Sequence, residues 1–154
     1  TYEIILAPDW SKAFKKYTFE NDINGKFLIK NDDMNDPHLE SDYVTVQFQF
    51  PVDAILGNGD LYVMGQLSDW QLKKTHRMKF NTDNLSYELS LFLKQGYYNY
   101  TYVWRYAKGD RGSNERTDGN HSETENDYLV LVYFKDQSNF SDRLIGVERL
   151  NSLN

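Results

Sequence analysis

The chain predicts an all-β sandwich of roughly seven to nine strands, on strand spacing and turn punctuation. Three observations carry that expectation. Aromatics are abundant, with 12 Tyr, 9 Phe and 3 Trp in 154 residues, and such side chains favour pleated strands over helices. Apolar positions recur with a period of two in several segments, whereas an amphipathic helix needs 3.6. Gly, Asn and Pro punctuate those segments where turns would fall.

Taken in order, residues 1–30 hold short apolar runs: Tyr2-Glu-Ile-Ile-Leu6, Tyr17-Thr-Phe19 and Lys26-Phe-Leu-Ile29. Asn24-Gly25 between the last two signals a hairpin, because both residue types tolerate positive φ. An acidic linker follows from Asn31 to Asp42, and with the strands before it forms an N-terminal portion, 1–42, expected to pack on a sandwich at 43–154. Tyr43 to Phe50 alternates cleanly, with Val44, Val46, Phe48 and Phe50 on the inward face. Pro51 ends this strand by removing a ladder donor.

Gly57-Asn-Gly59 reads as a turn and Leu61 to Met64 as the next strand. Leu85, Tyr87, Leu89, Leu91 and Leu93 form another period-two face. Gln95-Gly96 turns the chain into Tyr97 to Tyr106, where Tyr98, Tyr100, Tyr102, Trp104 and Tyr106 share a face. The hairpin's outer face then carries Tyr97, Asn99, Thr101 and Val103. Tyr128 to Phe134 is continuously apolar, which predicts a central strand buried on both sides. Arg143 to Leu150 predicts a final edge strand. Between them, Ala107 to Asp127 has no apolar periodicity and reads as a long loop, of the kind that is solvated or functional.

Composition narrows the function. A net charge of −6 works against binding a phosphate backbone, so nucleic acid is not an expected partner. There are no cysteines, which removes disulfides and thiolate chemistry. No apolar run approaches the ~20 residues of a membrane-crossing helix, so direct membrane insertion is not expected. Because the chain opens at Thr1, it is expected to be part of a longer protein.

No enzyme and no cofactor are expected. His38, His76 and His121 sit in three separate polar segments, and no Gly-x-Ser-x-Gly, Walker or His-Glu-x-x-His pattern occurs. Carboxylates could in principle pair for glycoside hydrolysis, but most lie in polar linkers where a solvated charge is the simpler account. Asp32, Asp33, Asp36, Glu40 and Asp42 offer hard oxygen ligands of the type calcium takes, without EF-hand spacing or its turn glycine. A solvated linker is again the better account, and no metal site is expected. Asn-x-Ser/Thr tripeptides, those at Asn99, Asn120 and Asn139 among them, carry no weight.

Trp70 is the side chain best suited to stack on a sugar ring. Met64-Gly-Gln-Leu-Ser-Asp-Trp70 and Gly96-Tyr-Tyr-Asn-Tyr-Thr-Tyr102 resemble the Gly-x-x-x-x-Trp turn and the Gly-x-x-x-Tyr-x-Phe strand of carbohydrate-binding module family 48. This resemblance covers residues 60–106 and implies an immunoglobulin-like (early-set) β-sandwich. That family's hairpin lysine falls at Thr101, and its second stacking Trp has no equivalent near Lys108-Gly-Asp-Arg111. A shared scaffold without the sugar is the expectation. The alternative is a glycogen- or starch-type binding module using Trp70, with Tyr97 beside it.

A longer resemblance spans most of the chain. Asp22-Ile-Asn-Gly-Lys-Phe27, Asn31-Asp-Asp-Met-Asn-Asp-Pro37, Gly65-Gln-Leu-Ser-Asp-Trp70, Leu93-Lys-Gln-Gly-Tyr-Tyr-Asn-Tyr100 and Gly119-Asn-His-Ser-Glu-Thr-Glu-Asn-Asp-Tyr128 resemble the C-terminal domain of the type IX secretion system plug proteins of Bacteroidetes. Ser41-Asp-Tyr-Val44, Gly59-Asp-Leu-Tyr-Val63 and Asp142-Arg-Leu-Ile-Gly146 extend it. The resemblance implies a periplasmic protein-interaction domain, associated with the outer membrane, whose partner is the translocon barrel of that system. It implies no catalysis and no cofactor. The candidate contacts for a partner or ligand are Trp70, Tyr97, Asn99 and Thr101, with Glu123 and Glu125 placed to meet a basic patch on the partner.

Overall fold

The computed structural model describes residues 2–13, 15, 23–31, 36–109, 111–119, 126–135 and 141–152. Two compact units divide the chain, Thr1–Asn120 and His121–Asn154. Eleven strand segments occur among the described residues. Five are only two or three residues long, which takes the total above the expected seven to nine.

The first unit is a β-sandwich. One sheet runs in the order β1 (Glu3–Ile5), β3 (Tyr43–Pro51), β6 (Ser86–Lys94), β5 (Lys79–Asn81). The facing sheet runs β4 (Gly59–Met64), β8 (Thr101–Tyr106), β9 (Gly112–Ser113). A two-stranded ribbon pairs β2 (Phe27–Ile29) with β7 (Gly96–Tyr98). A short helix, α1, covers Pro37–Glu40, where the Asp36 carboxylate accepts the His38 N–H.

The alternation in β3 does what its period requires. Val44, Val46, Phe48 and Phe50 are buried, while Thr45, Gln47 and Gln49 are partly exposed. From β6, Tyr87 and Leu91 join them, and from the facing sheet Leu61, Val63, Tyr102 and Trp104 complete the core. Rings interlock across the sandwich. Phe48 meets Tyr100 edge-on at 5.0 Å, Phe50 meets Tyr102 at 4.8 Å, and Tyr87 meets Trp104 at 6.1 Å. Such tilted pairs satisfy the ring quadrupoles while burying large apolar areas. Gly59 is dictated by this packing, because a Cβ there would lie 2.4 Å from the Arg105 carbonyl and 2.7 Å from the Trp104 ring.

Three expectations are corrected. Leu85 does not join the β6 face. It occupies the preceding turn at φ 50°, is 46% exposed, and gives its carbonyl to the Val52 N–H. The outer face of β8 is not open, since Val103 is buried and residues 111–119 lie against it. Thr117 is fully buried and its hydroxyl donates to the Tyr102 carbonyl at 2.6 Å, and a Cβ on Gly112 would lie 2.2 Å from Val103. That part of the long loop is therefore fixed by polar and glycine contacts, which leave no apolar period. Finally, Tyr128–Phe134 is not a buried central strand. The second unit is a ribbon of β10 (Asp127–Lys135) and β11 (Asp142–Asn151), and every residue of β10 is exposed.

The turn at Asn24-Gly25 forms as expected, at φ 54° and 71°. Its strand β2 pairs antiparallel with β7, while the expected partner at Tyr17–Phe19 lies outside the described residues. So do Asp32, Asp33, His121 and both Glu123 and Glu125.

Candidate partner-binding surface

Four of the candidate contacts belong to one junction, where the 23–27 turn, the 65–70 turn and the 96–101 segment meet. Gly65 has no room for a side chain, since a Cβ would sit 2.9 Å from the Asn99 carbonyl and 3.0 Å from that of Gly25. Its own carbonyl accepts three hydrogen bonds, from the Ser68 N–H and hydroxyl at 3.0 Å each and the Trp70 N–H at 2.9 Å. Ser68 is fully buried by this arrangement. The chain leaves the turn through Asp69 and Trp70, both left-handed at φ 55° and 58°. Non-glycine residues in that region are uncommon, and the bonds to the Gly65 carbonyl hold this backbone conformation.

Trp70 is 52% exposed. The outer edge of its indole is not free, however: a Cβ built on Gly25 would lie 2.3 Å from its Cη2. The two turns are further joined by the Gln66 N–H to the Gly25 carbonyl at 2.8 Å and the Phe27 N–H to the Gln66 Oε1 at 3.0 Å.

Asn99 serves the same junction. Its Oδ1 accepts the Gly25 N–H at 2.8 Å and its own N–H donates to the Lys26 carbonyl at 2.9 Å. Both of these groups are engaged inside the fold. Thr101 is likewise engaged, its hydroxyl donating to the Asp118 carboxylate. Burial pushes the Asp118 carboxyl above the usual range, opposed by that hydrogen bond and by the charge of Lys12. Tyr97 is 50% exposed on β7, opposite Leu28. Of the six sequence-predicted contacts, Trp70 and Tyr97 therefore present exposed rings, while Asn99 and Thr101 act as fasteners. Neither of two open depressions on this unit is lined by Trp70 or Tyr97.

A latch that sequence reasoning missed lies at Asp9. Its Oδ2 accepts hydrogen bonds from Tyr100 at 2.7 Å and Tyr102 at 2.8 Å, while the Asp9 N–H donates to the Gln49 carbonyl at 3.0 Å. Asp9 thus ties the N-terminal segment to both sheets, through its carboxylate to Tyr102 of β8 and through its backbone N–H to Gln49 of β3. Burial is the main reason both tyrosine hydroxyls are pushed well above their ordinary value. Next to it, the Ser11 hydroxyl donates to the Arg116 carbonyl at 2.9 Å. The signal in the sequence was only Tyr-x-Tyr on an inward face, which required some acceptor for buried hydroxyls.

Among the described residues, no group of three or more His, Asp or Glu side chains is placed to hold a metal ion. No described helix is long and apolar enough to cross a membrane, which leaves strand-based crossing unaddressed.

No protein-family profile matches the chain, and no curated protein matches it. Among solved structures, it is similar to a hypothetical protein from Parabacteroides merdae ATCC 43184, at 32% identity and a TM-score of 0.93. The match covers 97% of this chain and 38% of that one. The chain therefore spans well under half the length of the solved protein it resembles. The all-β sandwich is common to both.

Proposed function

We propose that this chain is a non-enzymatic protein-interaction domain of a plug protein that closes the periplasmic side of the type IX secretion outer-membrane translocon. The observation that carries the reading is the set of long sequence strings resembling that family, from Asp22-Ile-Asn-Gly-Lys-Phe27 to Asp142-Arg-Leu-Ile-Gly146. It is supported by the likeness, along nearly the whole chain, to a protein from Parabacteroides, a member of the Bacteroidetes. Two of the strings, 65–70 and 93–100, interlock at the Trp70 junction, which suits a rigid platform for presenting loops and rings to a partner. Rigid aromatic anchors lose little entropy on docking and commonly dominate interface energies. On this reading the protein is periplasmic and needs no cofactor.

The test is affinity capture with this chain from solubilised Bacteroidetes outer membranes, identified by mass spectrometry. Recovery of the translocon barrel is the expected result. Retention on an immobilised glucan, lost in Trp70→Ala, with no barrel recovered would overturn the reading in favour of a carbohydrate-binding module. The half-exposed indole of Trp70 is the observation that keeps the second reading in the experiment.

A further inference from the structure

Away from the Trp70 junction, the first unit carries an open depression of about 280 Å³. Its apolar lining comes from Ile55, Met78, Phe80 and Tyr87, and its polar lining includes Arg77, Lys79 and Asp60. Met78 and Tyr87 are buried at 4% exposure each, whereas Ile55 is 60% exposed. The floor is thus core, and the lip is an aliphatic side chain open to solvent.

Cations gather here although the chain as a whole is acidic, at −6. Arg77 and Arg105 both reach the Asp60 carboxylate, each at 3.4 Å, on opposite oxygens. Arg105 also lies over the Tyr62 ring at 5.2 Å. Arg116 donates to the Leu56 carbonyl and lies over the Tyr106 ring at 5.3 Å, so it borders the Ile55–Gly57 side. Lys79 is exposed and stands opposite Glu88, whose carboxylate is occupied by Asn81, Asn84 and Ser86. Two cations, Arg77 and Lys79, therefore line the depression, Arg105 shares Asp60 with Arg77, and Arg116 reaches the Leu56 carbonyl beside Ile55, while Asp60 is the only carboxylate among its described lining residues. Each of the three guanidinium groups is held by a ring, a carbonyl or a carboxylate. Groups that already have such contacts lose less side-chain entropy when they engage a ligand.

We propose that this depression docks a segment of a partner polypeptide that carries an aromatic or aliphatic side chain flanked by carboxylates. The apolar side chain would cover Ile55 and Phe80, and the carboxylates would meet Arg77, Lys79 and Arg116. Charge complementarity selects the occupant, because an acidic chain that concentrates cations around an apolar floor is arranged for an anionic, partly apolar guest. The inference rests on the protein-interaction reading above and adds the surface used.

The test is fluorescence anisotropy with the full chain and a dye-labelled peptide, Gly-Ser-Glu-Phe-Asp-Glu-Phe-Glu-Ser-Gly. Two variants are compared, the charge variant Arg77→Gln with Arg116→Gln, and Ile55→Ser, which alters an exposed side chain and leaves every charge in place. Saturable binding, weakened roughly tenfold or more in each variant and by Phe-to-Ser replacement in the peptide, is the expected result. Equal binding by native chain and both variants would overturn the site, as would no binding by the native chain. If inorganic phosphate displaces the peptide and the Phe-free peptide binds as well, the site takes anions alone and the proposal fails. Concentration-dependent self-association lost in the variants, without peptide binding, would make a second copy the occupant instead. Capture of the translocon equally by native chain and variants would sink this site and leave the plug reading intact. Peptide binding without translocon capture would do the reverse.

Discussion

The outer edge of the Trp70 indole rests on Gly25, at a spacing that leaves no volume for a Cβ between them. Gly25 also sits at φ 71°, a conformation that favours glycine. Gly25→Ala should therefore destabilise the fold by about 1–3 kcal/mol, from backbone strain and displacement of the ring. Thermal unfolding of that variant, of Trp70→Ala and of the double variant tests this. If the contact is as described, the two costs will combine to less than their sum.

Asp9→Ala removes the acceptor shared by the hydroxyls of buried Tyr102 and partly buried Tyr100. Leaving a buried donor unpaired costs about 1–3 kcal/mol. A fall in Tm of at least several degrees is expected for a chain of this size, at roughly 2–4 °C per kcal/mol. Asp9→Asn keeps a carbonyl acceptor and should lose much less. Equal losses in the two variants would show that the acceptor oxygen is not what matters.

Thr117→Val conserves shape but deletes the hydroxyl that donates to the Tyr102 carbonyl at 2.6 Å. Urea unfolding should show a loss of about 1–2 kcal/mol. Hydrogen exchange of residues 111–119 should accelerate in the same variant, since this hydroxyl pins the loop to β8. Unchanged exchange there would mean the loop is held by its other contacts.

His76 is buried, and burial, reinforced by the Lys73 charge, holds its pKa below the ordinary 6.5. The folded state thus favours neutral imidazole and binds fewer protons than the unfolded state. Its contribution is complete above 6.5 and is lost as pH falls toward the lowered folded value. Stability should decline from pH 7 to pH 5, and His76→Gln should flatten that slope. Asp69, lowered by its hydrogen bond from Lys73 below 3.8, acts only in a more acidic window.

Much of the sandwich was legible in the sequence because period-two burial is a local signal. Val44 to Phe50 and the Tyr102-x-Trp104 pair occupy the positions their alternation assigns. Alternation puts Val103 outward, and nothing in the loop sequence signals a cover. That cover is built from a glycine and a buried threonine, which have no apolar period. The run Tyr128–Phe134 misled for the opposite reason, since apolar continuity reports composition and not what lies on either face. Its residues are exposed on a two-stranded ribbon. At the candidate surface, the sequence offered Trp70, Tyr97, Asn99 and Thr101 alike as contacts and left open whether Trp70 is a core ring or an exposed one; only the structure separates the exposed rings of Trp70 and Tyr97 from the fasteners. Asn99 and Thr101 bond to partners, Gly25 and Asp118, that are distant along the chain. The Asp9 latch was hidden for the same reason, since a lone carboxylate in an N-terminal segment carries no pattern.

The most direct test of the central claim is surface plasmon resonance of this chain against the purified outer-membrane translocon, with a glucan surface in parallel. Saturable binding to the translocon, with none to glucan, is predicted for a plug domain. Glucan binding abolished by Trp70→Ala, with a flat response on the translocon, would contradict it.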